Sequence, residues 1–197
     1  MIDDALIQHL RNNGVVAYPT STLPGLGALP TKEGLDALFK LKRRSADKPV
    51  SLGVLSLNQA NDFVHVSAFV QKMEKHFPKG SITFVLKALR EFDTRLGGWW
   101  VAVRCFSNQI ARQLVEQVGP ITATSANEAG EVPESTAEDA GRILRLPSYA
   151  ILPGSCPGGE GSTFVKVDGD DDSVTVLREG ILSKEEILNW IEQHQGI

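Results

Sequence analysis

Apolar residues recur three and four apart from the start of the chain. Leu6, Ile7 and Leu10 share one face of residues 4–13 and Gly14 follows as a stop, so the spacing predicts a helix. Val15-Val16-Ala17-Tyr18 then reads as a short buried strand. It runs into Pro19-Thr20-Ser21-Thr22-Leu23-Pro24-Gly25-Leu26-Gly27, which has the composition of a loop. Thr31 is placed to cap a second helix carrying Leu35, Leu38 and Phe39 inward, Lys48-Pro49 closes that region, and residues 50–55 read as strand. Ser67 opens a helix with Phe69, Val70, Met73 and Phe77 at helical spacing. Residues 82–86 and 101–103 are strands. Residues 108–118 are amphipathic, with Ile110, Leu114, Val115 and Val118 on the core side. Gly119-Pro120 ends that helix and residues 121–124 form a further strand. Ser135-Thr136-Ala137-Glu138 and Ser183-Lys184-Glu185-Glu186 fit capping boxes. Between them lie three strand candidates, near Tyr149, at 163–167 and at 174–177.

Helical and strand-like segments alternate throughout, so the expected class is α/β or α+β with a mixed sheet. No internal repeat, low-complexity tract or dividing linker is visible, and one domain over residues 1–197 is expected. The glycine-rich stretch 153–161 reads as a mobile surface loop. The acidic run 168–172 reads as a solvated hairpin turn, because its spacing does not match a calcium-binding loop.

With 42% hydrophobic and 22% charged residues the chain has globular composition, which excludes bulk disorder. Twenty Lys+Arg against 24 Asp+Glu leave a net charge of -4, which excludes a uniformly basic nucleic-acid coat. Cys105 and Cys156 have no metal-site spacing and are read as reduced thiols. The start, Met1-Ile2-Asp3-Asp4, lacks the features of a signal peptide and no apolar run approaches a membrane span, so a cytoplasmic location is expected.

Candidate chemistry begins with local charge. Between residues 40 and 48 stand Lys40, Lys42, Arg43, Arg44 and Lys48 against Asp47 alone. Such a cluster can be a solvated complement to a helix C-terminus, or it can hold polyphosphate. Thr20, Ser21 and Thr22 place hydroxyls at a strand end beside Gly25 and Gly27, which suits either a capped turn or a small-ligand pocket. Thr122-Ala123-Thr124-Ser125-Ala126-Asn127 is again strand into polar turn. Gly161-Ser162-Thr163 precedes a strand and Arg178-Glu179-Gly180. There is no Walker A pattern, no Rossmann fingerprint and no Gly-x-Ser-x-Gly elbow. His9, His65, His76 and His194 have no nucleophile partner in sequence and are read as structural or surface residues.

Taken in order, these pieces resemble a known family. They are Tyr18-Pro19-Thr20-x-Thr22-x-x-Gly25-Leu26-Gly27, Lys42-x-Arg44-x-x-x-Lys48-Pro49, Val101-Ala102-Val103-Arg104, Thr124-Ser125-Ala126-Asn127, Ser162-Thr163 and Arg178-x-Gly180. Their order is similar to that of the YrdC-like (TsaC) L-threonylcarbamoyladenylate synthases, in the short single-domain form, over about residues 15–181. The resemblance implies a YrdC/RibB-like twisted mixed sheet with flanking helices around a concave cavity. It implies a nucleotidyltransferase that joins L-threonine, bicarbonate and ATP into threonylcarbamoyl-AMP and releases pyrophosphate. The product would feed N6-threonylcarbamoyl modification of adenosine-37 in tRNA, with pathway transferases downstream and a possible tRNA or double-stranded RNA contact. By resemblance Lys42 and Arg44 are the catalytic cations. Lys42, Arg44 and Lys48 would hold the ATP phosphates, and Ser125, Asn127 and Arg178 would face the nucleotide. Arg104, Thr124, Thr22 and Ser162 would bind threonine. Magnesium would arrive on the phosphates, with no metal site in the protein. The chain departs from the family at Ser21 and Gly53, where an acid and a histidine are common, and at Phe77-Pro78-Lys79-Gly80-Ser81, where Trp-Pro-Gly-Pro is usual. A non-catalytic paralogue of the same fold and a double-stranded RNA-binding module are the alternative readings.

Overall fold

The computed structural model describes residues 2–169 and 172–194. Its spine is an eight-stranded twisted sheet. The strands are β1 (Val16–Tyr18), β2 (Gly25–Gly27), β3 (Ser51–Val54), β4 (Ile82–Lys87), β5 (Trp100–Cys105), β6 (Ile121–Ser125), β7 (Thr163–Val167) and β8 (Val174–Arg178). Their spatial order is β1-β2-β6-β3-β5-β4-β7-β8. The β3–β5 and β4–β7 pairs are parallel and the other neighbours antiparallel, so the sheet is mixed as expected.

The helices are α1 (Asp4–Arg11), α2 (Lys32–Lys42), α3 (Leu57–Ala60), α4 (Ala68–His76), α5 (Gln109–Val118), α6 (Ala137–Ile143) and α7 (Lys184–His194). Local chemistry sets their starts. The hydroxyls of Thr31 and Ser67 accept from the amides of Gly34 and Val70, and Asn108 accepts from those of Ile110 and Ala111. At α7 the expected capping box is present: Ser183 N–H donates to the Glu186 carboxylate and Glu186 N–H to the Ser183 hydroxyl.

Strand alternation sorts side chains onto two faces. Ile82, Phe84 and Leu86 of β4, with Val101 and Val103 of β5 and Val165 and Val167 of β7, meet Leu35 and Leu38 of α2, Val70 and Met73 of α4 and Ile187 and Trp190 of α7 in one apolar cluster. A second cluster joins Val16, Tyr18 and Ile121 to Leu6, Ile7 and Leu10 of α1 and Leu114 and Val115 of α5. Ala111 is fully buried on α5, while Ile110 and Val118 are only packed against the cluster.

Four expectations are corrected. Residues 25–27 are not loop but strand, paired to β1 on one side and β6 on the other. Tyr149 lies in a short 3₁₀ turn (Ser148–Ala150), and the strand pairing that follows is an isolated bridge from Ile151 to Ala17. The α6 cap is Thr136, not Ser135. Its hydroxyl accepts from Asp139 N–H, while Glu138 accepts instead from Gly154 N–H. The stretch 153–161 is held to the body: Gly158 N–H donates to Thr22 O at 3.0 Å, Cys156 N–H to Ser135 O at 3.0 Å, and Cys156 itself is buried. The run 168–172 joins antiparallel β7 and β8, closed by Asp168 N–H to Ser173 O at 3.0 Å; residues 170–171 lie outside the described residues.

Candidate functional site

Registers bring the motifs together. Gly53 pairs with Arg104, Thr83 with Phe164, Phe164 with Arg178, Ser51 with Ala123, and Gly25 with Ser125. The side chains of Arg104, Thr83, Phe164, Ser51 and Ser125 line one cavity of about 180 Å³, together with Thr20, Thr22, Thr124, Ser162, Arg44, Arg178 and the ring of Tyr18. Three arginines and a ring of hydroxyls surround it, and no carboxylate lines it.

Arg104 is 9% exposed. Its Nε donates to Gly80 O at 3.0 Å, and one terminal nitrogen donates to Thr22 Oγ1 at 2.9 Å and Ser21 Oγ at 3.3 Å. Gly80 holds φ at +83°, and a Cβ there would stand 2.8 Å from Ser21 Oγ, so this turn favours glycine. Thr22 is itself fixed, its N–H donating to Thr20 Oγ1 while Thr20 Oγ1 donates to Leu23 O.

Arg44 Nε donates to Lys48 O at 2.6 Å, and a terminal nitrogen donates to Pro49 O at 3.0 Å, aiming the guanidinium from beyond α2 into the cavity. Arg178 lies over the Phe164 ring, 4.3 Å from its centroid, and donates to Ser162 O at 3.0 Å. The Ser162 hydroxyl is 2.6 Å from that of Thr83. Burial pulls all three guanidiniums below their ordinary range, and the Arg178 charge adds to this for Arg44 and Arg104. An anion in the cavity would relieve both costs.

Three sequence candidates are placed otherwise. Lys42 does not line the cavity and is not solvated: it is 1% exposed, and its Nζ donates to Ser125 O and Asn127 O. Lys48 is exposed, and its carbonyl rather than its ammonium serves the site, through Arg44. Asn127 also stands outside the lining. Its amide donates to Glu128 O and Glu131 O, and its Oδ1 accepts from the Ser125 hydroxyl at 2.5 Å. Lys42 and Asn127 therefore share one assembly with Ser125 but reach the cavity through it.

Sequence reading missed Ser51, Thr83 and Phe164. The signal for Thr83 was present: a hydroxyl alternating with Ile82 and Phe84 marks the face opposite the core. The cysteines are unpaired and buried, and burial pushes the Cys105 thiol up to about 12. No helix among the described residues is long and apolar enough to cross a membrane.

An open mixed sheet with an arginine- and hydroxyl-lined cavity at its strand ends defines an α/β protein whose cavity has the chemistry to suit small anionic ligands. The Sua5/YciO/YrdC family model, described as telomere recombination, matches residues 8–180, and the chain belongs to that family. It is 30% identical over 183 residues to the threonylcarbamoyl-AMP synthase of Photobacterium profundum, covering 89% of this chain and 97% of that protein. It is 30% identical over 184 residues to the corresponding enzyme of Bacillus subtilis, covering 90% of this chain but 53% of that one. The crystal structure of P. abyssi Sua5 complexed with L-threonine superposes with a TM-score of 0.81 at 28% identity, over 95% of this chain and 56% of that one. The crystal structure of E. coli YciO superposes with a TM-score of 0.73 at 25% identity, over 94% of this chain and 91% of that one.

Proposed function

We propose that this chain is an L-threonylcarbamoyladenylate synthase. The observation that carries the reading is a cavity lined by Arg44, Arg104 and Arg178 without a carboxylate, in a family whose relatives include threonylcarbamoyl-AMP synthases and a threonine complex. The threonine amine and bicarbonate give a carbamate and water. A carbamate oxygen then bonds to the α-phosphorus of ATP as the α–β anhydride bond breaks, and its electron pair leaves with pyrophosphate. The carbamate and ATP that react are both anionic, so the protein's contribution is charge neutralisation and alignment.

Arg104 takes the threonine carboxylate, with Thr22, Thr124 and Ser162 around the side chain. At about 180 Å³ the cavity has room for an amino acid, so the nucleotide extends through its mouth, where Arg44 and Arg178 meet the phosphates. Ser125 donates its proton to Asn127 and is left as an acceptor for a ligand hydroxyl. Cationic and hydroxyl donors suit phosphate rather than a metal ion, and no cluster of three or more His, Cys, Asp or Glu that could hold one occurs among the described residues. Magnesium would enter on the ATP phosphates. The product serves tRNA adenosine-37 modification through a downstream transferase, in the cytoplasm. The test is pyrophosphate release from purified protein with ATP, threonine and bicarbonate. Release is expected only with all three, and release that persists when bicarbonate is withheld overturns the mechanism.

A further inference from the structure

We infer that Lys42 is a positioning residue: it latches the turn after β6 behind the cavity wall and touches neither phosphate nor threonine. The inference rests on the synthase reading for what the cavity binds, but its own basis is geometry. Withdrawing an ammonium from water costs several kcal/mol unless hydrogen bonds replace the lost hydration. Lys42 is 1% exposed, and its Nζ donates to the neutral carbonyls of Ser125 and Asn127. An apolar side chain of the same length would fill the space without that cost, so packing does not explain a cation here.

The surrounding bonds show what the cation holds. Lys42 O accepts from Ala129 N–H at 3.1 Å, so helix α2 grips the turn through both its backbone and its side chain. Asn127 pins the same turn from within, donating to Glu128 O and Glu131 O and accepting from Ser125. Arg43, next along the chain, pairs with Glu128 at 3.2 Å. Of the residues in this assembly, Ser125 faces the cavity, directly after Thr124. The end of α2 thus sends Arg44 into the cavity and uses Lys42 to fix the opposite wall. Loss of Lys42 should let Ser125 drift from its place relative to Arg44.

A double-mutant cycle in ATP affinity, read by calorimetry on the full chain, tests this with Lys42→Met and Asn127→Ala. Each single change should weaken ATP about tenfold or more, and the double variant should be little worse than the poorer single, because both loosen one turn. Threonine affinity of Lys42→Met should stay within about threefold, which also shows that the cavity has folded. The dependence of ATP affinity on salt should keep its wild-type slope, whereas a lysine on a phosphate would remove about one charge from it. Lys42→Gln keeps two donors without the charge and should bind ATP better than Lys42→Met. Additive losses, a reduced slope, or equal failure of Gln and Met would overturn the inference. If Lys42→Met does not fold, the slope measured on Lys42→Gln decides. Wild-type ATP binding without pyrophosphate release would sink the synthase reading and leave the latch standing. Pyrophosphate release with additive losses would sink the latch alone, and absence of ATP binding would sink both.

Discussion

Arg104 holds its guanidinium in place through Gly80 and Thr22, and burial leaves that charge in want of an anion. Arg104→Ala should therefore weaken threonine by about 2–4 kcal/mol, on the order of 30- to 1000-fold, and ATP far less, as calorimetry with each ligand would show. Arg104→Lys should not restore the affinity, since an ammonium cannot reproduce the fork. Arg44→Ala should abolish pyrophosphate release while leaving the fold intact, because its bonds within the protein are to carbonyls of a neighbouring turn. Burial, and secondarily Arg44, lowers Lys42 to about 8 from its ordinary 10.5. Below about pH 8 both folded and unfolded chains carry this proton, and the buried charge costs stability in full. Between about 8 and 10.5 only the unfolded chain keeps it, so the cost fades as pH rises. Urea unfolding should show the stability of wild type relative to Lys42→Met increasing across that window, and a flat difference would contradict it.

At the scale of elements, caps and close approaches carry the site. The Thr31 hydroxyl caps α2 and donates to Asn13 at 2.6 Å, so Thr31→Ala should cost about 1 kcal/mol in denaturant unfolding while pyrophosphate release persists. A Cβ at Gly180 would stand 2.2 Å from Gly161 O and 2.7 Å from Ser162 O. Gly180→Ala should displace Ser162 and Arg178 together and lower turnover on the order of 100-fold. Most elements were legible in the sequence because their apolar period is strong, as in α5 and β4. Strand β2 was not: Gly25-Leu26-Gly27 has little strand preference of its own and becomes a strand by pairing on both sides. The strand expected at Tyr149 failed because that residue, its side chain half exposed, lies within a 3₁₀ turn. The stretch 153–161 looked mobile by composition, yet bonds to Ser135 and Thr22, far away in sequence, hold it.

For the whole molecule, occupancy and folding are linked. Threonine at about 100 times its dissociation constant should stabilise the native state by about 2.7 kcal/mol, read as a rise in melting temperature that Arg104→Ala removes. We propose that residues 1–197 form one domain, since both apolar clusters pack against the same sheet. Coincident urea transitions by circular dichroism and tryptophan fluorescence are expected, and separate midpoints would argue for two units.

The sequence alone determined the alternation of helices and strands, the caps of α2, α4 and α7, and the ordered motifs that mark the family. These follow from local period, propensity and residue type, which need no partner in space. Tertiary structure decided which motif side chains share a cavity. Arg44, Arg104 and Arg178 converge because β3–β5 and β7–β8 bring distant residues into register and α2 ends beside them. Lys42 and Arg44, two apart, read alike as cations. Near the end of a helix two residues of chain turn a side chain to a different side, so one enters the cavity and the other is buried behind its wall.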